Sequence, residues 1–169
     1  VVSTGAELMS VLELYNAEGV HIKLDNDITL DETYVPTSFY GVFDGDFHKI
    51  TAVTQFFTTN DGTLKNFYYT DTVDRIDVPI GSAGIICDVN KGLVSGVIAT
   101  GNIDCECTHG TYSDGESYAT NVGIIAGEGG TIINCAAFGS VRADCCYGAE
   151  AGGISTYSTV INSYAAVEV

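Results

Sequence analysis

The chain is poor in several residue types. It has no tryptophan, one methionine, two prolines and only six lysine and arginine residues among its 169. Against 22 acidic residues these few basic groups leave a formal net charge of −16, which opposes binding to nucleic acid and to anionic membranes. No stretch approaches the roughly 18 consecutive apolar residues of a membrane span, so we expect no membrane insertion. No basic segment followed by an apolar one opens the chain, so a signal peptide is either absent or already removed.

The residue types that are abundant favour a folded domain outside the cell. Hydrophobic residues make up 46% of the sequence, which predicts a single domain over residues 1–169 with a core of its own. Six cysteines, with much glycine and tyrosine and little lysine, favour an oxidising, extracellular or cell-surface setting. The acidic surface favours cationic, neutral or metal-bridged partners, although it also serves solubility alone.

One segment near the start has a helical pattern. Thr4 and Glu7 have the spacing of a capping box, and Leu8 and Leu12 then recur on one face at the helical period. The sequence therefore predicts a short helix that caps the domain within residues 1–20. After it come short apolar segments separated by glycine, asparagine, aspartate and threonine, which predict strands.

Internal repeats occupy the rest of the chain. Four windows superpose without gaps and begin at Gly62, Gly92, Gly130 and Ser158. They recur about every 30 residues, except where a polar stretch, 105–120, lengthens one interval and reads as a loop insertion. Two apolar columns predict a core ladder of Leu64, Val94, Ile132, Val160, Val73, Ile103, Val141 and Val169. A polar column predicts an asparagine ladder at an inward-turning corner, formed by Asn66, Asn134 and Asn162, with Gly96 in the remaining window.

A period of this length, with two or three short strands in each unit, is explained most simply by a coil of parallel strands. No unit can bury its apolar face alone, but stacking equivalent positions at ~4.8 Å closes a continuous core. We therefore predict an all-β fold, a right-handed parallel β-helix of about four to five rungs with a short N-terminal capping helix. Residues 21–57 would form the first rung and residues 58–169 the repeated rungs. The alternative, a β-sandwich with coincidental glycines, explains the agreement of the four windows less well.

The best preserved window resembles a known repeat. Residues 123–141, whose centre reads Gly-Thr-Ile-Ile-Asn-Cys, resemble the GLUG repeat, and residues 39–50 resemble the segment that commonly precedes it. The resemblance implies a part of a large bacterial surface protein, such as an adhesin or the non-catalytic region of an IgA-specific metallopeptidase. It implies no catalytic residue. Gly96 stands where the pattern has asparagine, and Ser158 and Val167 stand where it has glycine.

Cysteines form the strongest local cluster, which consists of Cys105, Cys107, Cys145 and Cys146. Cys107 and Cys145 lie equally far past equivalent columns, so we expect them on neighbouring rungs, near the distance that a disulfide requires. The other two would then be close enough to pair as well. His109 makes a zinc site the alternative, but the spacing lacks a C-x-x-C form and we expect no metal. Cys135 falls in an apolar column and reads as a small buried residue, whereas Cys87 is ambiguous.

Acidic pairs are the candidates for catalysis. They are Asp25 with Asp27, Asp44 with Asp46, and Asp71 with Asp74. β-Helix enzymes that cleave polysaccharides use clustered aspartates, with calcium or as acid and base. Such enzymes also need a basic partner for an acidic substrate, and this chain has few basic residues. No hydrolase, zinc-protease or nucleotide-binding motif is present, so we predict no enzymatic activity and no cofactor.

The expected function is a non-catalytic, extracellular binding or structural module, most simply an adhesin or stalk segment of a microbial surface protein. A glycan or a host surface protein would be the partner, and exposed tyrosines such as Tyr68 and Tyr157 are candidates for a glycan-binding face or for cross-strand packing. The alternative is a self-assembling subunit of an extracellular filament or of a viral or phage fibre. Neighbouring subunits would then contact the open C-terminal rung, whose strand column closes with Val169. A carbohydrate-active enzyme is the weaker alternative.

Overall fold

The structure is a computed structural model, and it describes residues 1–76, 81–106, 120–144 and 148–169. Most of the described residues lie in β-strands that pair in parallel, and one segment among them is helical. The all-β, parallel character of the fold is therefore as predicted.

The predicted helix is confirmed as α1, which spans Gly5–Tyr15. Thr4 is its N-cap, and Thr4 Oγ1 accepts a hydrogen bond from Glu7 N at 3.2 Å. The Glu7 carboxylate reaches one residue further back than a capping box requires, because it accepts from Ser3 N at 2.7 Å. Leu8 is fully buried, so this turn of the helix is held against the core.

The strands are short, apart from three long ones. In chain order they are β1 His21–Lys23, β2 Ile28–Leu30, β3 Val42–Asp44, β4 Lys49–Ala52, β5 Phe57–Asn60, β6 Thr63–Asp71, β7 Arg75–Ile76, β8 Ser82–Gly84, β9 Cys87–Asn90, β10 Leu93–Glu106, β11 Thr120–Gly123, β12 Ala126–Glu128, β13 Thr131–Ile133, β14 Ala136–Asp144, β15 Ala149–Gly152, β16 Thr159–Ile161 and β17 Tyr164–Glu168.

The described strands form three sheets. The largest has 11 strands and a central path β1-β3-β6-β10-β13-β16, which β2, β4, β7, β14 and β17 join at the sides. The long strands β6 and β10 each pair with two shorter strands in succession along their length. β6 pairs with β3 and then with β4, and β10 pairs with β13 and then with β14. Two three-stranded sheets have the orders β15-β11-β8 and β12-β9-β5.

A single apolar column runs across the largest sheet. Consecutive parallel partners along it are Ile22, Phe43, Leu64, Val94, Ile132 and Val160. The four members from Phe43 to Ile132 are 0% exposed, whereas Val160 on the last strand is 41% exposed. The repeat windows therefore place like residues on like residues, and two earlier strands extend the column towards the N-terminus.

Aromatic rings fill the core beside the first half of this column. Phe56 lies at the centre, with its ring centroid 4.2 Å from that of Phe57 and 5.1 Å from that of Phe43. Phe67 and Tyr69 contact the same ring at 5.6 and 5.2 Å. Such ring contacts add about 0.5–1.5 kcal/mol per pair to the free energy of unfolding beyond the burial of area.

The second predicted apolar column is displaced at Val73. Ile103 and Val141 are parallel partners and both are buried. Strand β6 ends at Asp71, whose Oδ1 accepts a hydrogen bond from Val73 N at 3.1 Å, and pairing resumes with Arg75 as the partner of Ile103. Val73, expected in the core ladder, is instead 51% exposed, because this turn shifts the register by two residues.

The asparagine column forms a corner with left-handed backbone. The φ angle is 57° at Asn66, 54° at Asn134 and 46° at Asn162, and Gly96 at the same corner has 63°. Asparagine and glycine adopt this conformation at the lowest cost, which explains why the column holds only these two types. Asn162 Nδ2 donates to Asn134 Oδ1 at 2.6 Å. The corner was expected to turn its amides inward, but Asn134 and Asn162 are exposed.

A different asparagine pair faces the interior. Asn60 and Asn90 are parallel partners, 0% and 1% exposed, and Asn60 Nδ2 donates to Asn90 Oδ1 at 2.8 Å. Asn60 Oδ1 accepts from Gly62 N at 3.1 Å, and Asn90 Nδ2 donates to Thr131 O at 3.3 Å. These bonds satisfy buried amides that would otherwise cost about 1–3 kcal/mol each.

Two expected boundaries differ from the structure. Residues 21–57, expected to form one rung, contain two sets of strands, because β1 pairs with β3 and β2 pairs with β4. The insertion expected over 105–120 starts later, because β10 continues to Glu106, whose partner is Asp144. Residues 107–119 lie outside the described part of the chain.

Candidate functional site

One of the three acidic pairs considered for catalysis, Asp44 with Asp46, is held in ion pairs. Asp44 Oδ2 lies 3.0 Å from Lys65 Nζ, and Asp46 Oδ2 lies 2.9 Å from Lys23 Nζ. Asp44 Oδ1 also accepts from Asp46 N at 3.1 Å and from Asn66 Nδ2 at 3.2 Å. Burial alone would raise the pKa of Asp44, but the bonds from Lys65, Asp46 N and Asn66 outweigh it and lower that pKa.

Asp27 and Asp74, from the other two acidic pairs, each accept a hydrogen bond from a residue of a strand elsewhere in the chain. Asp27 Oδ1 accepts from Lys49 N at 2.8 Å and lies 3.4 Å from His48 Nδ1, and the first of these bonds is the largest cause of the lowered pKa of Asp27. Asp74 Oδ1 accepts from Asn102 Nδ2 at 2.9 Å. Within the described residues no group of three or more histidine, cysteine, aspartate or glutamate side chains could hold a metal ion.

The cysteine cluster lies mostly outside the described residues. Cys107, Cys145 and Cys146 belong to the ranges that the structure does not describe, as does His109, so the disulfide and zinc predictions stay predictions. Cys105 is buried in β10, and its partner is Ala143 of β14. No disulfide joins two of the three described cysteines, Cys87, Cys105 and Cys135.

The thiols of Cys87 and Cys135 act as packing groups. Both are buried, and burial raises the pKa of each thiol. Cys135 Sγ also accepts from Val97 N at 3.4 Å and donates to Ile133 O at 3.2 Å. A neutral, enclosed thiol is a poor nucleophile, so these two residues contribute to the core.

A surface groove lies on the part of the largest sheet that is formed by β10, β14 and β17. It has a volume of about 460 Å³ and is lined by Asp74, Asn102, Ile103, Asp104, Ser140, Val141, Arg142, Glu168 and Val169. Asn102 Oδ1 accepts from Ser140 N and Ser140 Oγ, both at 3.0 Å. Arg142 bridges Asp104 at 3.3 Å and Asp144 at 3.2 Å. The groove therefore offers amide, hydroxyl and guanidinium groups with paired charges.

Sequence reasoning did not find this groove. Its polar lining comes from outward positions of β10 and β14, such as Asn102 opposite Ser140 and Asp104 opposite Arg142. Alternation of polar residues with the buried Ile103 was visible in the sequence, but without the register the partners across the strands could not be assigned.

The tyrosines that the structure describes do not form one continuous face. Tyr68 and Tyr164 share an outward column but are separated by Ile98 and Ala136. Tyr69 is buried, with its hydroxyl donating to Thr54 O at 2.7 Å.

The last strands of the chain form a distinct surface, which we call the C-terminal row and define as residues 149–169. Each of its strands has one partner among the described strands: β15 pairs with β11, β16 with β13, and β17 with β14. Its large exposed hydrophobic residues are Tyr157, Val160, Ile161, Tyr164 and Val169. Val160 and Val169, both expected in the core ladder, are 41% and 73% exposed because no strand of the described chain covers this edge.

Comparison of the chain with protein-family models, with curated proteins and with solved structures finds no match. Among the described residues, no helix is both long and apolar enough to cross a membrane.

Proposed function

We propose that the chain is a right-handed parallel β-helix of GLUG-like repeats that serves as a non-catalytic, extracellular binding or structural module, most simply an adhesin or stalk segment of a microbial surface protein. The observation that carries the proposal is the apolar column of six consecutive parallel partners that ends at Val160. A chain that coils in one direction with equivalent positions stacked produces such a column directly.

The state of the carboxylates supports a role without turnover. Asp44 and Asp46 are paired with lysines, and Asp27 accepts a backbone hydrogen bond. A catalytic acid needs a raised pKa, whereas the pKa values of Asp27 and Asp44 are lowered. The bonds of these groups therefore fit a structural role better than that of a catalytic acid.

The groove lined by Asn102 and Arg142 is the proposed contact surface for a ligand. Its amide, hydroxyl and guanidinium groups suit a hydroxyl-rich neutral saccharide, which presents both donors and acceptors. The net charge of −16 opposes an acidic saccharide. A neutral glycan of a cell surface is therefore the favoured partner.

The test is binding of the purified chain to an array of neutral and acidic polysaccharides, combined with an assay for released reducing ends. We expect binding to a neutral member, weakened by Asn102→Ala, with no release of reducing ends. Ser95→Ala is the matched control, because Ser95 lies on the same strand β10 but outside the groove. Turnover that disappears in Asp44→Asn would contradict the proposal, as would equal binding by the Asn102→Ala variant.

A further inference from the structure

A polar cluster lies on the outward face of the sheet formed by β8, β11 and β15, beside strand β12. Asn121 of β11 alternates with Val122, which is 0% exposed, so the Asn121 side chain points away from the core. Glu150 of β15 is the parallel partner of Asn121. Asn121 Nδ2 donates to Glu128 Oε2 of β12 at 2.7 Å. The cluster therefore faces sideways from the strand stack, and access to it does not depend on the uncovered last strands.

One acceptor of this cluster is buried without a partner. Asn121 is 8% exposed, and its Oδ1 has no hydrogen-bond partner among the described residues. A buried polar atom in this state costs free energy of folding unless another group reaches it. Nδ2 of the same amide lies against the Glu128 carboxylate, so the unused oxygen is beside a negative charge. A group that interacts favourably with both must be a hydrogen-bond donor or a cation.

The two carboxylates of the cluster have no basic partner. Glu128 and Glu150 take part in none of the ion pairs of the described side chains, which instead join lysine, arginine and histidine residues to aspartates. Glu150 accepts a hydrogen bond from the Tyr157 hydroxyl. That bond is the largest cause of the raised pKa of Tyr157, and the charge of Glu128 adds to it. Both carboxylates therefore act on one small, negatively charged region.

We propose that Asn121 Oδ1, Glu128 and Glu150 form a calcium site that ties β15 to β11 and β12. Ca²⁺ accepts carboxylate and amide oxygens in irregular arrangements and takes its remaining ligands from backbone oxygens or water, whereas Mg²⁺ demands a nearly regular octahedron. Zn²⁺ is bound mainly by histidine and cysteine, and the cluster contains neither. Two carboxylates balance the charge of the ion. The site shares no residue with the groove, so this proposal does not depend on the saccharide-binding proposal.

The experiment is isothermal titration calorimetry of Ca²⁺ into the chelator-treated chain, in about 0.15 M salt to screen the diffuse attraction of cations to a net charge of −16. Glu128→Gln keeps an acceptor for Asn121 Nδ2 but removes a charged ligand, and Glu150→Gln does the same on β15. Asn121→Asp replaces the amide oxygen with a charged one. Glu13→Gln is the matched control, because it removes the same charge from an exposed position of α1. Circular dichroism establishes that each variant keeps its strand content.

The native chain and Glu13→Gln are expected to bind one Ca²⁺ with a Kd of about 10⁻⁴–10⁻³ M, the range of extracellular modules. Glu128→Gln and Glu150→Gln should each weaken binding by about tenfold or more, and Asn121→Asp should tighten it, because affinity follows the number of charged ligands. A native chain that binds no calcium would overturn the proposal, as would equal weakening in Glu13→Gln or unchanged affinity in Asn121→Asp. Equal affinity for Mg²⁺ would overturn the assignment to calcium.

Discussion

The two ends of the strand stack differ in how the core is covered. At the N-terminal end α1 lies over the first strands, and Leu8 is fully buried beneath it. At the other end Val160 continues the same core but keeps 41% of its surface exposed. An apolar side chain therefore stabilises the fold by its burial at the N-terminal end, whereas at the other end much of its surface stays in contact with water.

The difference shows that a repeated strand pattern does not by itself cover the ends of the strand stack. Inside the stack each strand has partners on both sides, as Val94 has in Leu64 and Ile132. A terminal strand has one partner, so something other than the repeat must cover its second side. Helix α1 supplies that cover at the N-terminal end of the stack.

The largest expected contrast is between Leu8→Ala and Val160→Ala. Leu8→Ala should lower the free energy of unfolding by about 2–5 kcal/mol, because it leaves a cavity at a fully buried position. Val160→Ala should cost roughly 1 kcal/mol or less, because much of the valine is already hydrated. Urea unfolding measures both values, and equal losses would contradict the difference between the ends.

A smaller contrast is expected between interior and terminal asparagines. Asn60→Ala leaves the buried Asn90 amide without its donor and should cost about 1–3 kcal/mol. Asn162→Gly keeps a residue that tolerates the left-handed φ of 46° and loses only an exposed amide contact, so the loss should be a few tenths of a kcal/mol. The same urea experiment compares them, and a larger loss for Asn162→Gly would show that the terminal corner is not peripheral.

The smallest expected effect concerns the covering helix itself. Thr4→Ala removes the N-cap oxygen that accepts from Glu7 N and should destabilise the chain by about 1 kcal/mol. Ser10→Ala is the control, since Ser10 is exposed in the middle of α1 and alanine is the better helix former. Thermal unfolding of both variants provides the comparison, and a loss in Ser10→Ala as large as that in Thr4→Ala would exclude capping as the cause.

The repeat could be found in the sequence because the backbone geometry of one corner restricts which residue types occur there. Asn66, Asn134, Asn162 and Gly96 share a corner at which φ is positive, so few residue types are accepted there and the windows align without gaps. The helix was predictable for a similar reason, since its N-cap and buried face follow local rules.

The remaining features depend on contacts between distant residues. The pairing of Asn60 with Asn90 needs the register of β5 on β9, which no local pattern indicates. Val73 leaves its column because the Asp71 side chain stabilises a turn after β6, and the groove beside Asn102 forms only when β10 and β14 lie side by side. In each case a single residue's neighbours across the sheet decide its role.

The most direct test of the proposed β-helix is a set of distances between exposed positions on one outward column. Thr29, Thr51, Thr70 and Thr100 are consecutive partners, and Phe138 and Ala166 follow them. Spin labels placed through an unnatural amino acid at Thr29, Thr100 and Ala166 leave the native cysteines unchanged. A coil predicts roughly 14 Å from position 29 to 100, roughly 10 Å from 100 to 166, and their sum from 29 to 166, since each row adds ~4.8 Å. Distances that do not add along this line would contradict the stacked, parallel coil.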